Sequence, residues 1–204
     1  MKKMASPAAA KGRPRAFDTD EALQKALELF WRQGYEGTSL SALTEAMGIN
    51  RPSLYAAFGN KEQLFHRALE RYLSGPAACF TAALNEPTAR QVAERILRDV
   101  VRQLSDPKLP SGCLVVQAAL ASGAEADPVR QALAAHRNEA RQALRRRFQH
   151  AITDGDLSAD TDASALAGYL MAITHGLAVQ AAGGMPGKDL KRIADLALST
   201  WPRA

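Results

Sequence analysis

Between Thr38 and Phe58 the chain reads TSLSALTEAMGINRPSLYAAF, and no other segment constrains the fold as strongly. Leu40, Leu43 and Met47 recur at the spacing of one helix face. Gly48-Ile49-Asn50 interrupts the pattern, and Asn50 is a good cap for a following helix. Pro52 is tolerated in that helix's first turn, where the N–H it lacks would have no partner anyway. Leu54 and Phe58 share the inner face, and Gly59 ends the helix. Two short helices joined by a tight turn have the spacing of a DNA-binding helix-turn-helix. In that motif the first helix braces and the second lies in the major groove with its N-terminal residues at the bases. The outward residues Arg51, Ser53 and Tyr55 can all donate hydrogen bonds, and the helix N-terminus formed by Asn50 and Pro52 favours phosphate. Lys61, just beyond, can reach the DNA backbone as a point charge. Thr38 or Ser39 caps the bracing helix, and either could also meet phosphate.

The same punctuation extends in both directions. Asp18 caps a first helix whose Leu23, Ala26, Leu27 and Phe30 form one face, with Gly34 as its stop. Asn60 and Gln63 have capping-box spacing for a fourth helix carrying Leu64, Phe65, Ala68 and Tyr72, which Gly75-Pro76 ends. Further helices are expected at about 87–105, from Pro110-Ser111-Gly112 to about Ser122, at about 127–153, at about 161–182 and at about 188–201. The stretch at 161–182 is apolar nearly all round, which predicts burial on several sides. The expectation is an all-α protein of about nine helices. A flexible basic arm (1–16) precedes a three-helix DNA-binding domain (17–60) and a helical ligand-binding and dimerisation domain (61–204).

Charge supports this division. The net charge is +5, and residues 1–17 hold five basic residues and no acid, so the remainder balances near zero. Lys11-Gly12-Arg13-Pro14-Arg15 has the form of a minor-groove arm, with Arg13 and Arg15 flanking an extended segment, or is a solvated tail. Arg145-Arg146-Arg147 reads as a solvated helix face. No apolar run approaches the roughly 20 residues of a membrane span, and residues 1–17 lack a secretory apolar core. The two cysteines, Cys79 and Cys113, make no CxxC pair and no disulfide framework. The expected setting is a soluble protein of a reducing cytoplasm. No Gly-rich phosphate loop, nucleophile elbow or HExxH is present, so an enzyme is not expected. Nor is a cofactor or metal: Cys79, Cys113, His136 and His175 have no short ligand spacing.

Three blocks taken together, LQKALELFWRQGYEGTSL, Leu54-Tyr55-Ala56-Ala57-Phe58 and Asn60-Lys61-Glu62-Gln63-Leu64-Phe65, resemble the TetR family of one-component regulators. The resemblance spans Phe17 to Tyr72, about a quarter of the chain. It implies a homodimeric repressor on a pseudo-palindromic double-stranded operator, released by a small effector bound in the second domain. In that pattern Tyr55 and Lys61 usually bind phosphate. The resemblance also implies a dimer interface on the last two helices, where the apolar stripes are Leu166, Leu170, Ile173 and Leu177, then Leu190, Ile193, Ala197 and Trp201. Candidates for the implied pocket are Phe65, Tyr72, Leu104, Cys113, Leu114, Gln117, His136, Phe148, Tyr169 and His175. His136 and His175 read equally as core histidines. Cys113, expected in the first turn of the sixth helix, is either a small packing residue or, with its thiolate favoured by the helix dipole, a thiol that senses oxidants or electrophiles. Cys79 would then be its resolving partner. The effector, the operator and the regulated genes have no signature in the sequence.

Overall fold

The computed structural model describes residues 17–117 and 126–202. Lys11–Arg15, with Arg13 and Arg15, and the expected helix end near Ser122 lie outside the described residues. Within them the structure is helical throughout, with α1 (Thr19–Gly37), α2 (Leu40–Met47), α3 (Arg51–Phe58), α4 (Lys61–Ser74), α5 (Cys79–Ala83), α6 (Ala89–Leu104), α7 (Leu114–Gln117), α8 (Asp127–Thr153), α9 (Ala163–Ala182) and α10 (Gly187–Ser199).

Local chemistry sets most boundaries. Asp18 accepts hydrogen bonds from the backbone N–H groups of Asp20 and Glu21, and α1 breaks where Gly34 adopts a φ of 71°. Ser39, not Thr38, caps α2; its side chain accepts from Ala42 N at 3.0 Å. Asn50 caps α3 and the Asn60–Gln63 capping box opens α4, both as the sequence predicts. The short helix α5 is an addition. Its five residues and missing side-chain cap leave no periodic signal to read.

Two apolar clusters organise these helices. The first joins α1–α4 through Phe30, Trp31, Leu54, Phe58, Phe65 and Tyr72, and takes in Leu114 and Val115 of α7 and Val129 and Leu133 of α8. A fully buried side chain of this size contributes about 1.5–3 kcal/mol, so one shared core holds α4 against α1 and, through it, to the helix-turn-helix. The Arg71–Asp20 ion pair (2.7 Å) adds a link from α4 to the start of α1. The second cluster joins α6, the C-terminal half of α8, α9 and α10 around Leu97, Phe148, Leu170 and Trp201.

Two expectations are corrected here. Arg147 is not a solvated charge: its guanidinium donates to the carbonyls of Leu84, Glu86 and Pro87 at 2.8–3.2 Å and fixes the turn before α6. Helix α9 is long and apolar enough, by length and composition, to cross a membrane. Its Leu166, Leu170 and Leu177 are instead packed into the protomer core, while its opposite face is open.

Candidate functional site

The helix-turn-helix presents a surface built from the turn outward. Leu54 and Phe58 are buried and set the rotation of α3, so Arg51, Pro52 and Tyr55 face solvent and Ser53 is half-buried. Tyr55 is 49% exposed, which is unusual for so large a ring with nothing packed over it. No acidic residue lies on α3, and Arg51 has no ion-pair partner among the described residues. Asn50 spends its side-chain oxygen on Ser53 N (2.8 Å). Lys61 is half-buried, its ammonium 4.4 Å from the centroid of the Tyr35 ring. Ser39 is exposed at the start of α2, with its hydroxyl 2.9 Å from that of Ser41, a neighbour the sequence reading passed over. Thr38 is corrected: it is fully buried and donates its hydroxyl to Gly34 O at 2.7 Å, so it shapes the turn and offers nothing to DNA.

A cavity of about 200 Å³ lies in the second domain, bounded by α4, α5, α6, α8 and α9 and by the segment entering α7. Five of the ten expected residues line it, Tyr72, Leu104, Cys113, His136 and His175. The other five do not. Phe65, Leu114 and Phe148 are core residues without exposed surface, because their helices turn those faces to the two apolar clusters. Gln117 turns back to donate to Ser111 O at 3.0 Å. Tyr169 lies on the outer face of α9, 39% exposed. The polar lining that sequence reasoning missed is Thr81, Gln103, Arg137 and Thr174. Thr174 was recoverable, since Met171, Thr174, His175 and Ala178 fall on one helix face and all line the cavity.

One end of the cavity is a hydrogen-bonded chain. Gln103 Nε2 donates to the Tyr72 hydroxyl (3.1 Å), which donates to Cys113 Sγ (3.3 Å). Burial, and then Cys113, push the Tyr72 hydroxyl well above the usual phenol range, so it remains a donor. Cys113 is not inside the first turn of α7 but immediately before it, its carbonyl accepting from Gln117 N at 2.9 Å. Cys79 lines the same cavity, and burial raises its thiol. The lining also holds His136 and His175, whose protonation burial disfavours; Arg137 opposes it further in both, and Glu139 favours it at His136. Although both cysteines and both histidines reach this cavity, no three His, Cys, Asp or Glu side chains among the described residues gather as metal ligands.

The cavity wall also touches the DNA-binding half. Trp31 of α1 donates from its indole Nε1 to Gly112 O at 3.1 Å, and its ring meets that of Tyr72 edge-on at 4.7 Å. The Ser111 hydroxyl donates to Ala181 O of α9 (2.7 Å). The segment Ser111-Gly112-Cys113 therefore ties together α1, α9 and the cavity.

On the outer side of the last two helices, burial overturns the expected interface stripe. Leu166, Leu170, Leu177, Leu190, Ala197 and Trp201 are buried within their own protomer, and Ile173 and Ile193 are half-buried. The open face of α9 is Ala165, Tyr169, Ala172, Gly176 and Val179, with Val179 53% exposed; on α10, Leu196 is 66% exposed. The most apolar stripe serves the protomer core, and the face left open mixes small residues with Tyr169 and Val179.

The sequence matches the family profile described as bacterial regulatory proteins, tetR family, over residues 22–68, and that described as tetracyclin repressor-like, C-terminal domain, over residues 89–184. The HTH-type transcriptional repressor ComR of Escherichia coli is 31% identical over 94% of the chain and 92% of its own length. A cysteine mutant of the TetR family transcriptional regulator CifR, complexed with 26-base-pair double-strand operator DNA, is 47% identical, with a TM-score of 0.89 over 94% of this chain and 100% of that one. A TetR transcriptional regulator from Rhodococcus sp. RHA1 is 46% identical, with a TM-score of 0.63 over 92% of this chain and 100% of that one.

Proposed function

The chain belongs to the TetR family, whose members are transcription regulators rather than enzymes, and on that premise we propose that it is a homodimeric repressor which binds a pseudo-palindromic operator and leaves it when a small effector occupies the second domain. Such a protein works where the chromosome is, in the cytoplasm. The observation that carries the reading is the Trp31–Gly112 hydrogen bond, because it connects the cavity wall to the helix that backs the helix-turn-helix. Two recognition helices on one DNA face must sit roughly one turn (about 34–36 Å) apart. A ligand that moves Tyr72 or Cys113 displaces Gly112, and with it α1, from the position that meets this spacing. The effector then binds free protein more tightly than DNA-bound protein by the factor by which it weakens operator binding.

On DNA, α3 enters the major groove with Arg51, Ser53 and Tyr55. Ser39, Asn50, Pro52 and Lys61 flank the phosphates, and the arm carrying Arg13 and Arg15 reaches an adjacent groove. The dimer forms through the open face of α9 with Leu196. Residues 165, 169, 172, 176 and 179 repeat every three to four positions, as a seam between packed helices does. The test is selection of bound duplexes from a random pool. Recovery of a two-fold symmetric sequence is the expected result, and recovery of unrelated sequences rejects the reading.

A second reading is favoured by one observation: both cysteines border the cavity and Tyr72 bonds to Cys113 Sγ. A thioether formed at Cys113 would displace Tyr72 and pull on Gly112, making an electrophile the effector. Iodoacetamide should then label Cys113 and release the selected duplex, and Cys113→Ser should abolish that release. Labelling without release leaves a reversible ligand as the effector.

A further inference from the structure

Arg137, His136 and His175 bring to the cavity hydrogen-bonding capacity that the described residues do not use. Arg137 has five N–H donors, and the described residues engage it only at Val115 O, at 3.3 Å. No carboxylate forms an ion pair with it among the described residues. His136 and His175, from α8 and α9, line the same cavity and make no hydrogen bond among the described residues. Among the described residues no Asp or Glu lines the cavity. Arg137 and His175 also border a shallow groove that contains Arg141, so the field outside this wall is positive too. Thr174 has already given its hydroxyl proton to Met171 O. Most of the rest of the lining, including Phe80, Ile96, Val100, Leu104 and Met171, is apolar; its other polar side chains are Tyr72, Thr81, Gln103 and the two cysteines.

From this arrangement we propose that the cavity takes a small organic anion with an apolar body, its acid group held by Arg137 with His136 and His175. The proposal rests on the cavity being the effector site. A volume of about 200 Å³ is somewhat larger than the cavity of about 150 Å³ that accommodates benzene, so the body is about one ring or a short branched chain. A carboxylate fits because Arg137 offers a planar fork of donors and no acceptor, and because an acid near two imidazoles would offset the burial that disfavours their protonation. An amine would face Arg137 with no compensating acid. A neutral amide would leave the guanidinium charge unpaired.

Calorimetry on the full chain with benzoate, benzamide and benzylamine tests this directly, using Arg137→Gln, Arg137→Lys and His175→Gln checked for folding by circular dichroism. Benzoate should bind at least about tenfold more tightly than benzamide, and Arg137→Gln or His175→Gln should erase that preference, as loss of a charge-assisted pair requires. Arg137→Lys should retain part of it. The proposal is overturned if none of the three binds, if benzamide or benzylamine binds as well as benzoate, or if benzoate binding ignores both positions. Adding the selected duplex separates the two claims. A neutral ring that binds and releases DNA refutes the anion and keeps the effector site; benzoate that binds through Arg137 without weakening DNA binding refutes the effector site and keeps the anion.

Discussion

Single side chains divide into those that build the turn and those that face out of it. Arg51→Ala should weaken operator binding by about 1–3 kcal/mol and leave the melting temperature unchanged, because Arg51 is exposed and has no ion-pair partner among the described residues; unchanged affinity by fluorescence anisotropy would remove Arg51 from the interface. Thr38→Val should do the reverse. It loses a buried hydroxyl bond to Gly34 O, costing about 1 kcal/mol of stability, with no separate effect on the salt dependence of DNA binding. His136 and His175 make a prediction for pH. Both titrate below the ordinary imidazole value of 6.5 in the folded chain, burial being the main cause, and return to it on unfolding. Above that value neither state is protonated and the stability is fully present. As pH falls through it the unfolded chain takes up protons first, so stability drops until the folded imidazoles are protonated as well. Melts between about pH 8 and about pH 5 should show this loss, and the double variant His136→Gln, His175→Gln should flatten it; an equally steep profile in that variant would assign the loss to other groups. At this scale the capping residues Asp18, Asn50 and Asn60 were legible because their signal lies within four residues. Thr38 was not, because a cap and a buried turn hydroxyl look alike in sequence.

Elements were legible in proportion to their length. The 27 residues of α8 fall where the stripe Val129, Leu133, Leu144 and Phe148 puts them. The five of α5 carry no stripe at all. Which face of an element meets which neighbour was harder. On α9 the leucines at 166, 170 and 177 turn inward, and the face left open mixes Ala165, Ala172 and Gly176 with Tyr169 and Val179, which gives no leucine stripe to read. The segment Ser111-Gly112-Cys113 owes its importance to partners 70 to 81 residues away in sequence, which no local pattern could reveal. Gly112 has a φ of 84°, and a Cβ there would lie 2.4 Å from Gln117 Nε2. Gly112→Ala should therefore cost about 1–3 kcal/mol and move the carbonyl that Trp31 grips. Trp31→Phe removes the hydrogen bond and keeps an aromatic ring against Tyr72. If the segment transmits effector binding, Trp31→Phe should reduce ligand-induced release more than it reduces operator affinity in the absence of ligand. Equal losses in both would make Trp31 a packing residue only.

For the whole molecule, the all-helical class was readable from the sequence, while the expected interface stripes were not surface, since the chain's own core uses the residues that hydropathy favours. Three of the four large hydrophobic side chains exposed among the described residues lie on α9 and α10, namely Tyr169, Val179 and Leu196. A charge there should separate protomers without unfolding them. Val179→Glu should give a monomer by light scattering that melts cooperatively and no longer holds the operator, whereas Leu170→Glu should unfold the chain. A dimer that survives Val179→Glu and Leu196→Glu together would place the interface elsewhere. The central claim is that two protomers read a symmetric site through α3. The most direct measurement is the affinity and stoichiometry of the wild-type chain on a duplex selected from the random pool, followed as salt is raised. The account predicts two or a multiple of two protomers per site, loss of binding to a scrambled duplex, and log affinity falling linearly with log salt by about 0.9 for each phosphate contacted. One protomer per site, or binding indifferent to both sequence and salt, would contradict it.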